Sequence, residues 1–202
     1  MDTDSITQLI LIIILLALSA FFSSAETAFT TVNHIRIRTL IDEGNKRAVI
    51  VSDIIAHSQK MLSAILIGNN IVNIGSASIA TTLFTIWLGA DKGAAISTVV
   101  MTIVVLIFGE VLPKNYAKAN ADSLAMTVAG PISVLMVIFK PLSAVLNFLS
   151  SIMTKLTGGK EDKPSVTEEE LKYLVESIEE EGVLEETESD LVRSALEFDE
   201  IE

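Results

Sequence analysis

The sequence predicts an all-α membrane protein: three transmembrane helices, a juxtamembrane helix–turn–helix and a cytosolic acidic helical bundle. Three observations predict it. Half of the 202 residues are hydrophobic and the mean hydropathy is +0.54, well on the apolar side, which a soluble domain rarely reaches. Three apolar runs are each long enough to cross a bilayer, which takes about 20 residues. The acidity is confined to one end: residues 161–202 carry 17 Asp+Glu against 3 Lys+Arg, whereas residues 1–160 carry 9 against 11. The chain therefore divides into a transmembrane segment with juxtamembrane helices, 1–157, and an acidic segment, 158–202.

The first span begins in the run Ile6–Phe22, broken only by Thr7, Gln8 and Ser19, and continues through small residues to Ala28. Its acidic start, MDTDS, lacks the basic lead of a signal peptide. The second runs from Met61 to Leu88 and ends beside Trp87, an interfacial anchor type. After the polar turn Gly89–Gly93, the third runs from Ala94 to about Leu112. Residues 33–60 hold five basic side chains (Arg36, Arg38, Lys46, Arg47 and Lys60) against Lys92 alone in the outer segments. The positive-inside rule puts that loop and the carboxyl terminus in the cytosol, and the amino terminus outside.

Residues 124–156 are apolar again, but Pro131 and the pair Lys140-Pro141 interrupt them. Each proline removes a helical hydrogen bond. The expectation is a helix–turn–helix at the cytosolic boundary, with a fourth span as the alternative. Beyond Gly158-Gly159, Thr167–Glu170 forms a capping box. Leu171, Leu174, Val175 and Ile178 then recur at helical spacing, Gly182 is placed as a stop, and a second helix shows Leu191, Val192, Ala195 and Leu196. Such short amphipathic helices need a bundle or a dimer to bury their stripes. The end, Asp199–Glu202, carries no terminating signal, and a further domain is expected after it.

Polar groups inside a span are costly and are functional candidates by default. The first span carries Ser19, Ser23 and Glu26 at i, i+4, i+7, on one face. The second carries Asn69, Asn70 and Asn73; Asn69 and Asn73 share a face, and Asn70 is three residues from Asn73. Interhelical hydrogen bonding accounts for one asparagine more readily than for three. The third carries Gly109, Glu110, Pro113 and Lys114. Pro113 cannot donate to the Gly109 carbonyl, which is left free beside Glu110. The plainer reading of that pair is an i, i+4 ion pair between Glu110 and Lys114.

The three clusters offer hydroxyls, amide oxygens, a carbonyl and carboxylates, with no sulfur or imidazole. Such a set suits Mg²⁺ or Ca²⁺ and disfavours zinc and copper; one carboxylate among neutral oxygens suits Na⁺ equally. The acidic tail excludes nucleic acid as a partner, since a phosphate backbone needs a basic face, and favours cations or a basic protein surface. There is no cysteine, no P-loop, no dinucleotide fingerprint, no zinc-hydrolase motif and no nucleophile–base pair, so the chain does not read as an enzyme.

The runs SAFFSSAETAF (19–29), IGNNIVNI (67–74) and FGEVLPK (108–114) resemble, in order and spacing, the transmembrane domain of the CNNM/CorC family of magnesium transporters. The resemblance covers essentially the whole chain. It implies a homodimer in the cell membrane, surrounded by lipid, exporting Mg²⁺ in exchange for Na⁺. It also implies a dehydrated Mg²⁺ held between the three spans. The family's motif falls on Ser23, Asn70 and Glu110, with Ser19, Asn73 and the Gly109 carbonyl behind them. A nucleotide-binding CBS module, expected in the full-length protein, is not present in these 202 residues. The alternative is a membrane-embedded Mg²⁺ sensor or scaffold that regulates other transporters.

Overall fold

The computed structural model describes residues 3–145, 148, 152, 173, 175, 177–179 and 186–197, and among these there is no strand. Two compact units are present, residues 1–150 and 151–202.

In the first unit, α1 (Thr3–Thr31) gives way at Asn33 to the short helices α2 (His34–Asp42) and α3 (Lys46–Ala56). Both begin on an asparagine cap. The Asn33 side chain accepts from the Ile35 and Arg36 amides, and the Asn45 side chain accepts from those of Arg47 and Ala48, satisfying donors that a helix start leaves open. The long α4 (Ser58–Leu88) turns at Gly89, where φ is +84°, into α5 (Ala90–Val104). That left-handed conformation suits glycine. Four residues on, a side-chain carbon at Gly93 would collide with the Thr85 backbone, so this glycine lets α4 and α5 lie against each other. A π-helical turn over Val105–Val111 follows α5, then α6 (Leu112–Ala119) and α7 (Ala121–Ile138).

The burial pattern is inverted relative to a soluble protein. Ser19, Ser23, Ser76 and Ser97 are buried to within 1% of full coverage, while Ile13, Ile74 and Val99 are 58–66% exposed. Lipid solvates apolar side chains, so helices in a bilayer meet through small and polar residues and turn their branched aliphatics outward. The main apolar core nevertheless exists. It is built by Phe22 and Phe29 of α1, Val51 and Ile54 of α3, Met61 and Ile65 of α4, and Val128 and Ile132 of α7. Gly68 makes room for Phe22, whose ring a Cβ there would overlap.

Four helices, Thr3–Thr31, Ser58–Leu88, Ala90–Ala119 and Ala121–Ile138, are long and apolar enough to cross a membrane, one more than the three spans read from the sequence. The reason is the position of the break. Pro131 is accommodated inside α7, and the helix ends at Ile138, so Lys140-Pro141 lies beyond it. Residues 140–145 are helical again, giving the expected helix–turn–helix. At 18 residues α7 is also the shortest of the four, about 27 Å by helical rise. Its start is tied to the end of α1: Asp122 accepts from the Asn33 amide at 3.0 Å and lies 3.5 Å from Arg36.

In the second unit, α8 (Glu186–Glu197) is the helix expected around Leu191 and Val192, both of which are exposed. Val175 is buried and Ile178 half-buried. The capping box at 167–170, Leu171, Leu174 and Gly182 lie outside the described residues.

Candidate metal centre

The polar clusters are brought together by α1, against which both α4 and the π-helical turn pack. Ser19 Oγ donates to Asn69 Oδ1 at 3.2 Å, joining α1 to α4. Asn73 Nδ2 donates to the same oxygen at 3.3 Å. The Asn69 amide oxygen is thus spent in holding its neighbours, and the Asn73 side-chain amide oxygen, Oδ1, is left buried with no partner. The third strand of contact is Gly109. A side-chain carbon there would stand 2.8 Å from Ser19 Oγ, so the absence of a side chain is what lets the two helices approach.

Ser23 lies one turn beyond Ser19 on α1. It is fully buried and its hydroxyl has no partner. Orphaned buried oxygens are rare and cost about 1–3 kcal/mol each. Two of the five such atoms in the described residues belong to predicted site residues, Ser23 and Asn73.

Glu110 sits inside the π-helical turn, which ends two residues before Pro113. There Leu112 N–H reaches back five residues to the Ile107 carbonyl. Proline cannot sustain the ordinary ladder, and the chain widens upstream of it. Such single widened turns are frequent at functional sites. Glu110 and Asn73 both line a cavity of about 360 Å³ between α4 and α5, with Thr81, Ser97, Thr98 and Thr102. Among the described residues the Glu110 carboxylate makes no ion pair and no hydrogen bond. Lys114 instead meets Glu26 of α1, Nζ to Oε2 at 3.1 Å, so the i, i+4 pairing of Glu110 with Lys114 does not form.

Asn70 is placed apart. It is exposed, its Nδ2 donates to the Leu66 carbonyl at 3.0 Å, and it lines a separate cavity with Ile71, Ile74 and Leu142. Helical geometry turns it about 100° from Asn69 and away from the face shared with Asn73. The structure therefore gathers Ser19, Asn69, Asn73 and Gly109, with Glu110 on the cavity that Asn73 also lines. The four cavity hydroxyls were not singled out in the sequence. The available signal was the spacing of Ser97, Thr98 and Thr102, which puts all three on one side of the third span.

Among the described residues no three His, Cys, Asp or Glu side chains gather as a metal cluster. Any cation here would be held by one carboxylate and neutral oxygens. The oxygens on hand fit that use: the Asn73 amide and the Ser23 hydroxyl are buried and unsatisfied, and both are hard ligands.

Comparison with known proteins agrees with this architecture. Residues 10–188 match the family model of the cyclin M transmembrane N-terminal domain. A chloroplastic DUF21 domain-containing protein of Arabidopsis thaliana is 35% identical over 195 residues, covering 95% of this chain and 29% of the relative. A UPF0053 protein of Haemophilus influenzae is 36% identical over 171 residues, covering 84% and 40%. A UPF0053 inner membrane protein of Escherichia coli is 35% identical over 161 residues, covering 78% and 37%. The chain thus spans less than half the length of each of these relatives. It is a multi-pass membrane protein and belongs to the CNNM family, whose transmembrane domain it matches over nearly its whole length.

Proposed function

We propose that this chain is the membrane part of a Mg²⁺ transporter that exports Mg²⁺ in exchange for Na⁺ and works as a homodimer. The observation that carries the reading is the Glu110 carboxylate, unpaired among the described residues, on the same cavity as Asn73, whose side-chain amide oxygen is buried and unsatisfied. A lone carboxylate at membrane depth is expensive unless water or a cation meets it. Mg²⁺ gives up its water reluctantly, so oxygens already in place must replace the lost shell. Ser19, Asn69, Asn73 and Gly109 are held in mutual register by contacts among themselves, which keeps such oxygens in place. Ser23 supplies a further hydroxyl. The positive-inside count supports an outer amino terminus and a cytosolic 33–60 loop.

The test is Mg²⁺ flux into vesicles containing the full-length protein, with a Na⁺ gradient in either direction. Flux that follows the gradient and is lost in Glu110→Gln supports transport. Binding without flux would instead make the protein a sensor or scaffold.

A further inference from the structure

The Glu110 centre opens on one side into a furrow with a consistent chemistry. Asn73, Ala77 and Thr81 recur every four residues along α4, which places them in one stripe. Ser97, Thr98, Met101, Thr102 and Val105 form the facing stripe of α5 and the turn after it. The stripes meet where Thr81 Oγ1 lies 3.4 Å from Ser97 Oγ. On the other side of α5, Val99 and Ile103 are 61% and 53% exposed. From Ser97 to Glu110 the helix rises about 20 Å, more than half of a hydrocarbon core about 30 Å thick.

Three of the four furrow hydroxyls donate to carbonyls of their own helices. Thr81 donates to the Ala77 carbonyl at 2.8 Å, Thr98 to that of Ala94 at 2.9 Å, and Thr102 to that of Thr98 at 2.7 Å. What remains toward the furrow is oxygen lone pairs. Asn73 adds an unpartnered carbonyl oxygen, and Glu110 adds a carboxylate. No cationic side chain lines the furrow. Ala77, Met101, Val105 and Leu106 make up the larger, apolar part of the lining; the polar atoms between them form a line of acceptors that attracts a cation and its water and repels anions.

We propose that this furrow is the half-path by which a partly hydrated cation moves between the Glu110 centre and the membrane face where α4 and α5 join. The contact between Thr81 and Ser97 is its outer constriction. The proposal deepens the transport reading above and rests on it.

These 202 residues contain no cysteine, so single cysteines can report the furrow in the full-length protein once any cysteine outside them is replaced by serine. Thr98→Cys and Thr102→Cys face it; Val99→Cys and Ile103→Cys are controls on the outward face. A thiol in apolar surroundings holds its proton, and each unit of raised pKa lowers its thiolate fraction about tenfold. A membrane-impermeant cationic methanethiosulfonate should therefore modify the two furrow positions at least about tenfold faster than the controls. Modification at Thr98→Cys should cut Mg²⁺ flux to the level of protein-free vesicles while leaving Mg²⁺ affinity unchanged, because the bulky adduct fills the furrow and the centre itself is untouched. Equal, slow modification at all four positions would overturn the furrow, as would fast modification with flux unchanged. Failure of the transport reading is separable. It would show as flux that persists in Glu110→Gln, whereas the modification rates judge the furrow without any flux.

Discussion

Lys114 reaches across from α6 to Glu26 of α1, Nζ to Oε2 at 3.1 Å, and leaves Glu110, one turn before it in the chain, without a counter-ion among the described residues. The two carboxylates nearest the third span thereby take different roles. Glu26 closes an interhelical ion pair, and the Glu110 side chain lines the cavity that it shares with Asn73.

The first prediction follows from the exposure of that pair, 39% and 40% at the side chains. Partly solvated pairs contribute at most about 1 kcal/mol. Lys114→Met should therefore lower thermal stability by no more than that and leave Mg²⁺ affinity in place. Collapse of Mg²⁺ binding in this variant would mean that Lys114 organises Glu110 after all.

The second concerns the closeness of α1 and the third span. Gly109→Ala puts a carbon 2.8 Å from Ser19 Oγ, and overpacking of this kind costs about 1–3 kcal/mol. Mg²⁺ binding should weaken with it, because Ser19 anchors Asn69. Gly130→Ala is the contrasting control: a Cβ there meets nothing within 4 Å, and a helical glycine replaced by alanine gains about 0.5–1 kcal/mol. Thermal unfolding in detergent reads both; equal effects at the two sites would contradict the packing argument.

A third prediction separates the asparagines. Asn73→Ala should weaken Mg²⁺ binding at least about tenfold, since it removes the buried, unsatisfied amide oxygen from a set in which each ligand replaces a water. Asn70→Ala should change binding by less than twofold, since Asn70 is exposed, lies off the shared face and lines a separate cavity. Calorimetric titration of both variants decides it, and the reverse order would restore Asn70 to the centre.

Orientation gives a fourth. Thr3→Cys and Lys46→Cys place thiols at exposed positions near the start of α1 and at the start of α3. An impermeant reagent added to intact cells should label Thr3→Cys alone. Labelling of Lys46→Cys instead would invert the topology drawn from the basic residues of the 33–60 loop.

Much of the fold could be read from composition because a bilayer imposes it. Apolar runs of the required length, the basic loop and the proline at 113 each leave a mark in the chain. The candidate residues stood out for the same reason: Ser19, Asn73 and Glu110 are polar where polarity is costly. The partnerships were not legible. Lys114 lies at the right spacing for Glu110, and only the approach of α1 to the third span brings Glu26 within reach. Asn69, Asn70 and Asn73 are alike in sequence, and the packing of α4 on Ser19 decides which of them face the centre. The break at Pro113 was foreseeable, but not its form, because a widened turn depends on how the chain upstream recovers its hydrogen bonds. The hydroxyls at Ser97, Thr98 and Thr102 escaped notice because serine and threonine in a span commonly bond their own helix, as Thr98 and Thr102 do here.

The central claim is that Glu110 supplies the charge that holds Mg²⁺ in the membrane. The most direct measurement is a calorimetric titration of Mg²⁺ into the detergent-solubilised full-length protein and its Glu110→Gln variant, each first shown to be folded by its thermal transition. Loss of the lone carboxylate from an otherwise neutral oxygen set should weaken affinity at least about tenfold, with the transition temperature unchanged, since Glu110 makes no ion pair or hydrogen bond among the described residues. An affinity equal to that of the unsubstituted protein would contradict the account.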